Sequence, residues 1–365
     1  MQVFHKLADI PADFGPSIVA VGNFDGVHRA HRAVLSQIVE RAQATHAVSV
    51  CVTFEPHPTR ILRPDANFKL LTPTPEKLRL LAQTSVDAVL LIPFSRDLSL
   101  MTPHQFAHDI LKKHLHAREV HEGYNFRFGR GASGTVEVLR ELGREMGFAV
   151  HDYPEMRLRG ERVSSSHIRK LLSEGNVSRA RHLLGRPFSI LSFAGRGRGY
   201  GAKYTVPTIN LAHYEELVPK DGVYITRTRI ASGQAISGQI GSSQVSGSQS
   251  SNNPNSDPSN RELAQSKAGS ESTNEVQNDF CFDSVTNVGN RPTFGPDSFA
   301  IETHLLNFRP IELSADTEVE LHFLDRLRDE VKFPSIEALK AQISRDVQKA
   351  QKYLRRLGRH WPNNR

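Results

Sequence analysis

The sequence predicts two unlike domains of α/β plus β class: a unit built on a parallel sheet with helices on both faces, then a smaller all-β unit closed by a helix. Three observations carry this. A chain of 365 residues exceeds what one hydrophobic core usually organises. From residue 18 to about 184, short apolar runs alternate with segments of helical spacing, as parallel strands and their crossover helices do. From residue 185 onward helical spacing thins out and strand-like runs dominate, which points to a small barrel or sandwich.

In chain order, strands are expected at 18–21, 47–54 and 86–92, and helices at 32–43, 75–83 and 103–115. In such a sheet a ligand belongs at the carboxyl ends of the strands. The second domain is expected to hold strands at 188–193, 222–229, 283–288, 300–307 and 317–324. A closing helix over 335–357 has Ile336, Leu339, Ile343, Val347 and Tyr353 at roughly helical spacing. Between two of these strands, residues 231–278 are rich in Ser, Gly, Gln and Asn and hold no aromatic residue. Such a segment cannot bury enough apolar surface to offset its ordering entropy, so a disordered insertion within a hairpin is expected. Its length adds little closure entropy, so the barrel can still form around it. The expected division is 1–184 and 185–365.

The formal net charge of +7 suits anionic substrates such as nucleotides and would also suit nucleic acid. The tail KYLRRLGRHWPNNR favours the second, but it reads equally as a solvated helix end. The aromatic residues of the first domain gather near Gly and Pro loops and lack the pattern of a single-strand stacking platform, so no nucleic-acid partner is expected. Two cysteines, Cys51 and Cys281, give no disulfide framework. With no apolar leader and no stretch long enough for a bilayer, a soluble cytoplasmic protein without membrane association is expected.

The string VGNFDGVHRAHRAVL (21–35) carries the most chemistry. A strand runs into a loop containing Gly22, Asn23, Phe24, Asp25 and Gly26, and His28 and His31 then fall three apart at a helix start. Free N–H groups and the positive end of the helix dipole face a ligand there, with both imidazoles on one face of the first turn. That outlines a phosphate site. An HxxH pair can also be half of a zinc site, but no Cys or carboxylate recurs at zinc-ligand spacing nearby, which leaves zinc the weaker option.

Three further strings fit nucleotidyl transfer. TFEPHP (53–58) ends a strand with Phe54, Pro56, His57 and Pro58. In NFRFGRGASG (125–134), alternation places Phe126 and Phe128 on one strand face beside Asn125, so both strings can wall a planar ring. ERVSSSHIRKLL (161–172) sets Ser164, Ser165 and Ser166 before an apolar-periodic helix with Arg169 in its first turn. Hydroxyls, N–H groups and an Arg fork suit a leaving pyrophosphate, although Ser165 or Ser166 can equally be a simple N-cap.

GNFDGVHRAH, TFEPHP, NFRFG and SSSHIR together resemble the bifunctional riboflavin kinase/FMN adenylyltransferase family, whose first domain shows GxFDGxHxGH, TFxPHP, FRFG and SSTxIR. The resemblance implies a Rossmann-like nucleotidyltransferase domain that joins FMN to ATP. His28, His31 and Arg169 would act on the reacting phosphates; Gly22 to Gly26 and Ser164, Ser165 and Ser166 would bind ATP; Phe54, Pro56, His57, Pro58, Asn125, Phe126 and Phe128 would hold the flavin. Ser166 keeps the hydroxyl of the family's Thr. Ala30 replaces the second motif glycine and adds a methyl where ATP phosphates approach, which leaves open a chain with kinase activity alone.

In the second domain GRGRGYG (195–201) alternates Gly197, Gly199 and Gly201 ahead of Lys203, and it leads to no helix, so it is not a dinucleotide-binding turn. VPTINL (206–211) is more telling: extended, it turns Thr208 and Asn210 to one side and Ile209 to the other, offering two neutral oxygens that can share Mg²⁺ with ATP phosphates. It is similar to the family's PTAN motif. Glu302 sits inside the otherwise apolar AIETHLL (300–306), where a carboxylate is costly unless paired or catalytic; a solvent-facing strand residue is the alternative. The resemblance makes Glu302 the kinase base, puts the Gly197, Gly199, Gly201 and Lys203 run on ATP, and places Arg328, Glu330 and Phe333 of RLRDEVKF near the flavin. Phosphorylating riboflavin needs a base because its hydroxyl is neutral. FMN already brings an anionic nucleophile, so the adenylylating half needs cations and donors.

Overall fold

In this computed structural model residues 1–195, 208–231, 280–290, 299–308 and 313–358 are described. Gly197, Gly199, Gly201, Lys203 and the 231–278 insertion beyond Ala231 lie outside the described residues.

The first domain opens with β1 (Gln2–Phe4), β2 (Ser17–Val21) and α1 (Arg29–Thr45), followed by β3 (Val48–Glu55), α2 (Pro58–Leu62), α3 (Thr74–Ala82) and β4 (Ala88–Pro93). After α4 (Arg96–Leu100), α5 (Pro103–Gln105) widens into a π-helix (Phe106–His114), and β5 (Ala117–Gly123), α6 (Val136–Met146) and β6 (Ala149–Tyr153) complete the unit. The strands form one parallel sheet in the order β1-β4-β3-β2-β5-β6. Period-two alternation divides each buried strand between two cores. Ile18, Ala20, Cys51 and Val89 meet α1 and α3 on one face, whereas Val19, Val21, Val50 and Leu90 meet the π-helix and α6 on the other.

A hairpin of β7 (Arg157–Leu158) and β8 (Glu161–Arg162) leads to α7 (Ser165–Ser173) and α8 (Val177–Leu184). These helices share a core with the second domain: Ile168, Leu172, Val177 and Leu183 pack in one cluster with Phe188, Ile190, Tyr224, Ile301 and Phe323.

The second domain comprises β9 (Phe188–Phe193), β10 (Thr208–Asn210), β11 (Gly222–Ile230), β12 (Phe280–Asn290), β13 (Phe299–Leu305), β14 (Glu318–Arg328) and α9 (Ile336–Leu357). Its antiparallel sheet runs β10-β13-β12-β11-β14-β9 and curls until its edge strands meet at the Ala194–Leu211 bridge. Inside it five buried hydroxyls close a ring: Thr226 to Ser284, Ser284 to Thr228, Thr228 to Thr303, Thr303 to Thr286 and Thr286 back to Thr226, at 2.7–3.2 Å. Each hydroxyl can donate once and accept once, so the polar layer is satisfied without water.

The closing helix is seated differently from expectation. Ala350 and Leu354 are buried against Val223, Ile225 and Leu324, with Val347 and Tyr353 beside them, but Ile336, Leu339 and Ile343 are 55%, 40% and 41% exposed. Only the second half of α9 reaches the sheet. Ion pairs join the domains: Arg60 grips Glu216 with both contacts at 2.6 Å, and Arg79 bridges Glu76 at 2.6 Å to Glu320, which also holds Arg229.

Candidate active sites

Strand order reverses between β2 and β5, and the loops after these two strands carry GNFDGVH and NFRFG. That crevice is where an open α/β sheet receives its ligand. The loop after β2 is tightly wound, with φ of 46° at Phe24, 87° at Gly26 and 35° at Val27. Gly22 donates its N–H to Val52 at 3.0 Å. A β-branched residue at positive φ is a true outlier, and such conformations persist where surrounding contacts impose them.

Asp25 supplies those contacts. Its carboxylate accepts the Leu71 and Thr72 N–H groups at 3.1 and 3.0 Å and forms a buried ion pair with Arg169. The Ser165 hydroxyl donates to the Asp25 carbonyl at 2.8 Å. Burial pushes the Asp25 carboxyl up, opposed by Arg169 and the two N–H groups. The side chain of Asp25 thus turns inward and fastens the loop, while Asn23 is exposed.

His28 is the N-cap of α1, its Nδ1 accepting the His31 N–H at 3.3 Å. The proton of the neutral ring then sits on Nε2, as a donor. His31 stacks on it at 3.5 Å between ring centres, and His31 Nδ1 is buried with no hydrogen-bond partner among the described residues. Burial pushes His28 down to about 3 and His31 well below its ordinary range. Both imidazoles are therefore neutral donors and acceptors at pH 7, where the sequence suggested cations. An orphaned buried ring nitrogen marks a place where a polar ligand fits.

Positive charge comes from elsewhere. Arg169 lies at the start of the second turn of α7, because that helix begins at Ser165 with Ser164 as its N-cap; the Ser164 hydroxyl accepts the His167 N–H at 3.3 Å. Arg169 also donates to the Lys69 carbonyl at 3.1 Å and lies 4.4 Å above the Phe68 ring. Lys77 of α3 is only 4% exposed, and its Nζ donates to Thr53 Oγ1 and the Phe54 carbonyl, both at 3.3 Å. Burial pushes Lys77 down from the usual lysine range, opposed by Glu55 and Asp25.

Of the expected flavin wall, His57 caps α2 by accepting the Thr59 N–H at 3.2 Å and stacks on Phe68 at 4.5 Å. Burial, then Arg169 and Lys77, bring it down to about 3. Phe54, Pro56 and Pro58 are half-buried around it. Gly123 to Phe126 form a turn closed by the Phe126 N–H donating to the Gly123 carbonyl at 2.9 Å, rather than the strand expected for NFRFG, yet Phe126 and Phe128 still stack at 5.3 Å. Phe128 is buried against Phe106, leaving Phe126 and exposed Asn125 as the accessible part. The methyl of Ala30 packs against the cluster shared by α7, α8 and the barrel.

In the barrel, β10 pairs with β13 so that Asn210 lies opposite Glu302 and Thr208 opposite His304. β12 places Asn287 against Glu302 from the other side. Directly paired residues share a face, so Thr208, Asn210, Glu302 and Asn287 line one surface while Ile209 is buried on the other. Asn287 Nδ2 donates to Glu330 at 3.4 Å, and the Glu330 carboxylate lies over Gly289. Arg328 is held by Asp346 at 2.8 Å and lies 5.6 Å from the Phe333 ring. Thr208, Asn210, Gly195 and Ser314 border a cleft of about 270 Å³. Two neutral side-chain oxygens beside a half-buried carboxylate are a donor set that Mg²⁺ accepts.

Four residues at these sites escape the sequence reading. Lys77 had a signal, a lysine on the helix face shared with Leu80 and Leu81. Phe68, Asn287 and Glu122 had none, since their roles depend on register and long-range packing. Glu122 accepts the Val21 N–H at 2.6 Å at the root of the loop after β2, and burial pushes its carboxyl well up.

Fold and sites together define a two-domain transferase: a tightly wound loop at the switch point of a parallel sheet, joined to a barrel with its own polar face around a half-buried carboxylate. Residues 10–167 match the family model described as FAD synthetase, and residues 184–354 match the one described as riboflavin kinase. A bifunctional riboflavin kinase/FMN adenylyltransferase of Escherichia coli strain K12 is 30% identical over 349 residues, covering 96% of each chain. Its counterpart in Haemophilus influenzae is 27% identical, covering 97% of this chain and 99% of its own. A solved structure described as a macrolide-efflux protein from Streptococcus pneumoniae shares the fold, with a TM-score of 0.74 at 23% identity over 98% of each chain. This chain belongs to the bifunctional riboflavin kinase/FMN adenylyltransferase family.

Proposed function

We propose that the barrel phosphorylates riboflavin to FMN and that the α/β domain adenylylates FMN to FAD, each with ATP, and that the chain divides at 184/185. The observation that carries this is a difference between the sites. The switch-point loop offers neutral imidazoles, Arg169 and Lys77, and the loop's own carboxylate, Asp25, is committed to Arg169. The barrel face offers Glu302 between Asn210 and Asn287.

In the barrel, Glu302 takes the proton of the riboflavin 5′-hydroxyl as that oxygen attacks the γ-phosphorus of ATP and ADP leaves. Thr208 and Asn210 would hold Mg²⁺, which when bound offsets charge on the ATP phosphates. Glu330, Arg328 and Phe333 would contact the flavin, and the family resemblance alone assigns Gly197, Gly199, Gly201 and Lys203 to ATP.

In the α/β domain the FMN phosphate is already anionic. Its oxygen attacks the α-phosphorus of ATP, and the bond to the β-phosphate breaks to release pyrophosphate. His28 Nε2–H and His31 donate to the phosphates, and Lys77 and Arg169 supply positive potential. Gly22, Asn23, Phe24, Gly26 and the start of α7 at Ser164, Ser165 and Ser166 frame ATP, while His57, Phe54, Pro56, Pro58, Asn125 and Phe126 border the flavin.

Two free cysteines suit the cytoplasm, and no helix among the described residues is long and apolar enough to cross a membrane. Incubation with riboflavin, ATP and Mg²⁺, followed by chromatography, tests the reading: FMN appears first and FAD follows. FMN without FAD would favour the kinase-only alternative, and neither product would refute both activities.

A further inference from the structure

We propose that β5 and β6 carry a binding site for a divalent transition cation, zinc above all, made by Glu119, His121 and His151. Glu119 and His121 are two apart on β5 and share a face, and parallel register sets His151 of β6 beside His121. The three side chains converge, with their donor atoms all within 4.8 Å of one another. Glu119 Oε2 lies 3.1 Å from His121 Nε2 and 3.4 Å from His151 Nε2. Four ligands placed tetrahedrally at about 2.0–2.1 Å from zinc stand about 3.3 Å apart, so both separations match an edge of that tetrahedron.

The surroundings are those of a ligand set. His121 Nδ1 meets the Tyr153 hydroxyl at 2.7 Å, an outer contact that fixes the ring and turns Nε2 toward Glu119. The His121 side chain is 2% exposed and that of His151 47%, so the site is anchored on one side and open to water on the other. Water can take the fourth position. Two imidazoles and a carboxylate suit zinc better than Mg²⁺ or Ca²⁺, which prefer oxygen alone. The site uses none of the residues assigned to either transferase reaction, and it would pin β6, an edge strand, to β5.

Arg41 of α1 now occupies the place of the cation, its Nε 3.0 Å from Glu119 Oε2 and its Nη2 on Oε1. Its side chain is 46% exposed and can turn into solvent. Zinc and Arg41 thus compete for one carboxylate, and the competition gives the test its direction.

The full chain, stripped with a chelator, is titrated with ZnCl₂ by calorimetry beside His151→Ala and Arg41→Gln, with circular dichroism verifying the fold of each. The wild type should bind one zinc that raises its melting temperature; His151→Ala should weaken that binding by about tenfold or more, and Arg41→Gln should tighten it. Zinc binding that His151→Ala leaves unchanged, or no zinc binding by Arg41→Gln, overturns the proposal.

Discussion

Replacing Asp25 by Asn should dismantle the loop after β2 while leaving most of the chain folded. The carboxylate is 2% exposed and holds Arg169 and the Leu71 and Thr72 N–H groups together. Asn keeps one acceptor and turns an NH₂ group toward the second N–H. Removing one partner of a buried ion pair costs about 3–5 kcal/mol, and the Arg169 side chain, one-fifth exposed, places this case near the lower end. An orphaned N–H adds about 1–3 kcal/mol, so about 4–6 kcal/mol should be lost from a stability of order 5–15 kcal/mol. Urea unfolding followed by circular dichroism reads the loss, and conversion of FMN to FAD reads its consequence. Asp25→Asn should fail to make FAD; the double variant Asp25→Asn, Arg169→Gln should regain about 3 kcal/mol, because no charge is left unpaired, and still make no FAD. A single variant within about 1 kcal/mol of wild type, with normal FAD synthesis, would refute the assignment of Asp25 as the fastener of the loop.

Two further outcomes are expected from stability measurements. Thr226→Val conserves shape but removes two bonds of the hydroxyl ring, leaving one buried donor and one acceptor unpaired; thermal unfolding should show a loss of about 2–4 kcal/mol, and a change under about 0.5 kcal/mol would contradict the closed ring. His28 and His57 are both held near 3, below the ordinary 6.5. The unfolded chain therefore takes up protons first as the pH drops: stability is full above pH 6.5 and declines toward pH 3, by up to about 1.4 kcal/mol per pH unit for each ring. Urea midpoints measured at successive pH values should fall in that window, and His28→Gln should flatten the decline; an equally steep decline in that variant would remove His28 from the account.

The parallel sheet and the barrel were legible because their signal is local. Strands such as 188–193 and 222–229 lie within one residue of the observed bounds, and the alternation in VPTINL placed Ile209 in the core and Thr208 and Asn210 on the other face. β5 and β6 escaped notice because AREVHEG and AVHDY carry Glu, His and Asp among their apolar residues. The motif residues were legible, but their states were not. Asp25 read as a phosphate ligand since its partner Arg169 lies 144 positions away, and the histidines read as cations since the burial that keeps them neutral comes from packing between distant segments. The half-exposed stripe of α9 shows the converse: helical periodicity gives a face, and only the sheet beneath decides how much of that face is covered.

The central claim is that two sites with different needs perform two transfers, a carboxylate base in the barrel and neutral donors with buried cations at the switch point. Chromatography of riboflavin, FMN and FAD from two folded variants tests it most directly. Glu302→Gln should make no FMN from riboflavin and still convert added FMN to FAD, and the double variant His28→Ala, His31→Ala should make FMN and no FAD. Loss of both activities in either variant, or survival of FMN synthesis in Glu302→Gln, would contradict it.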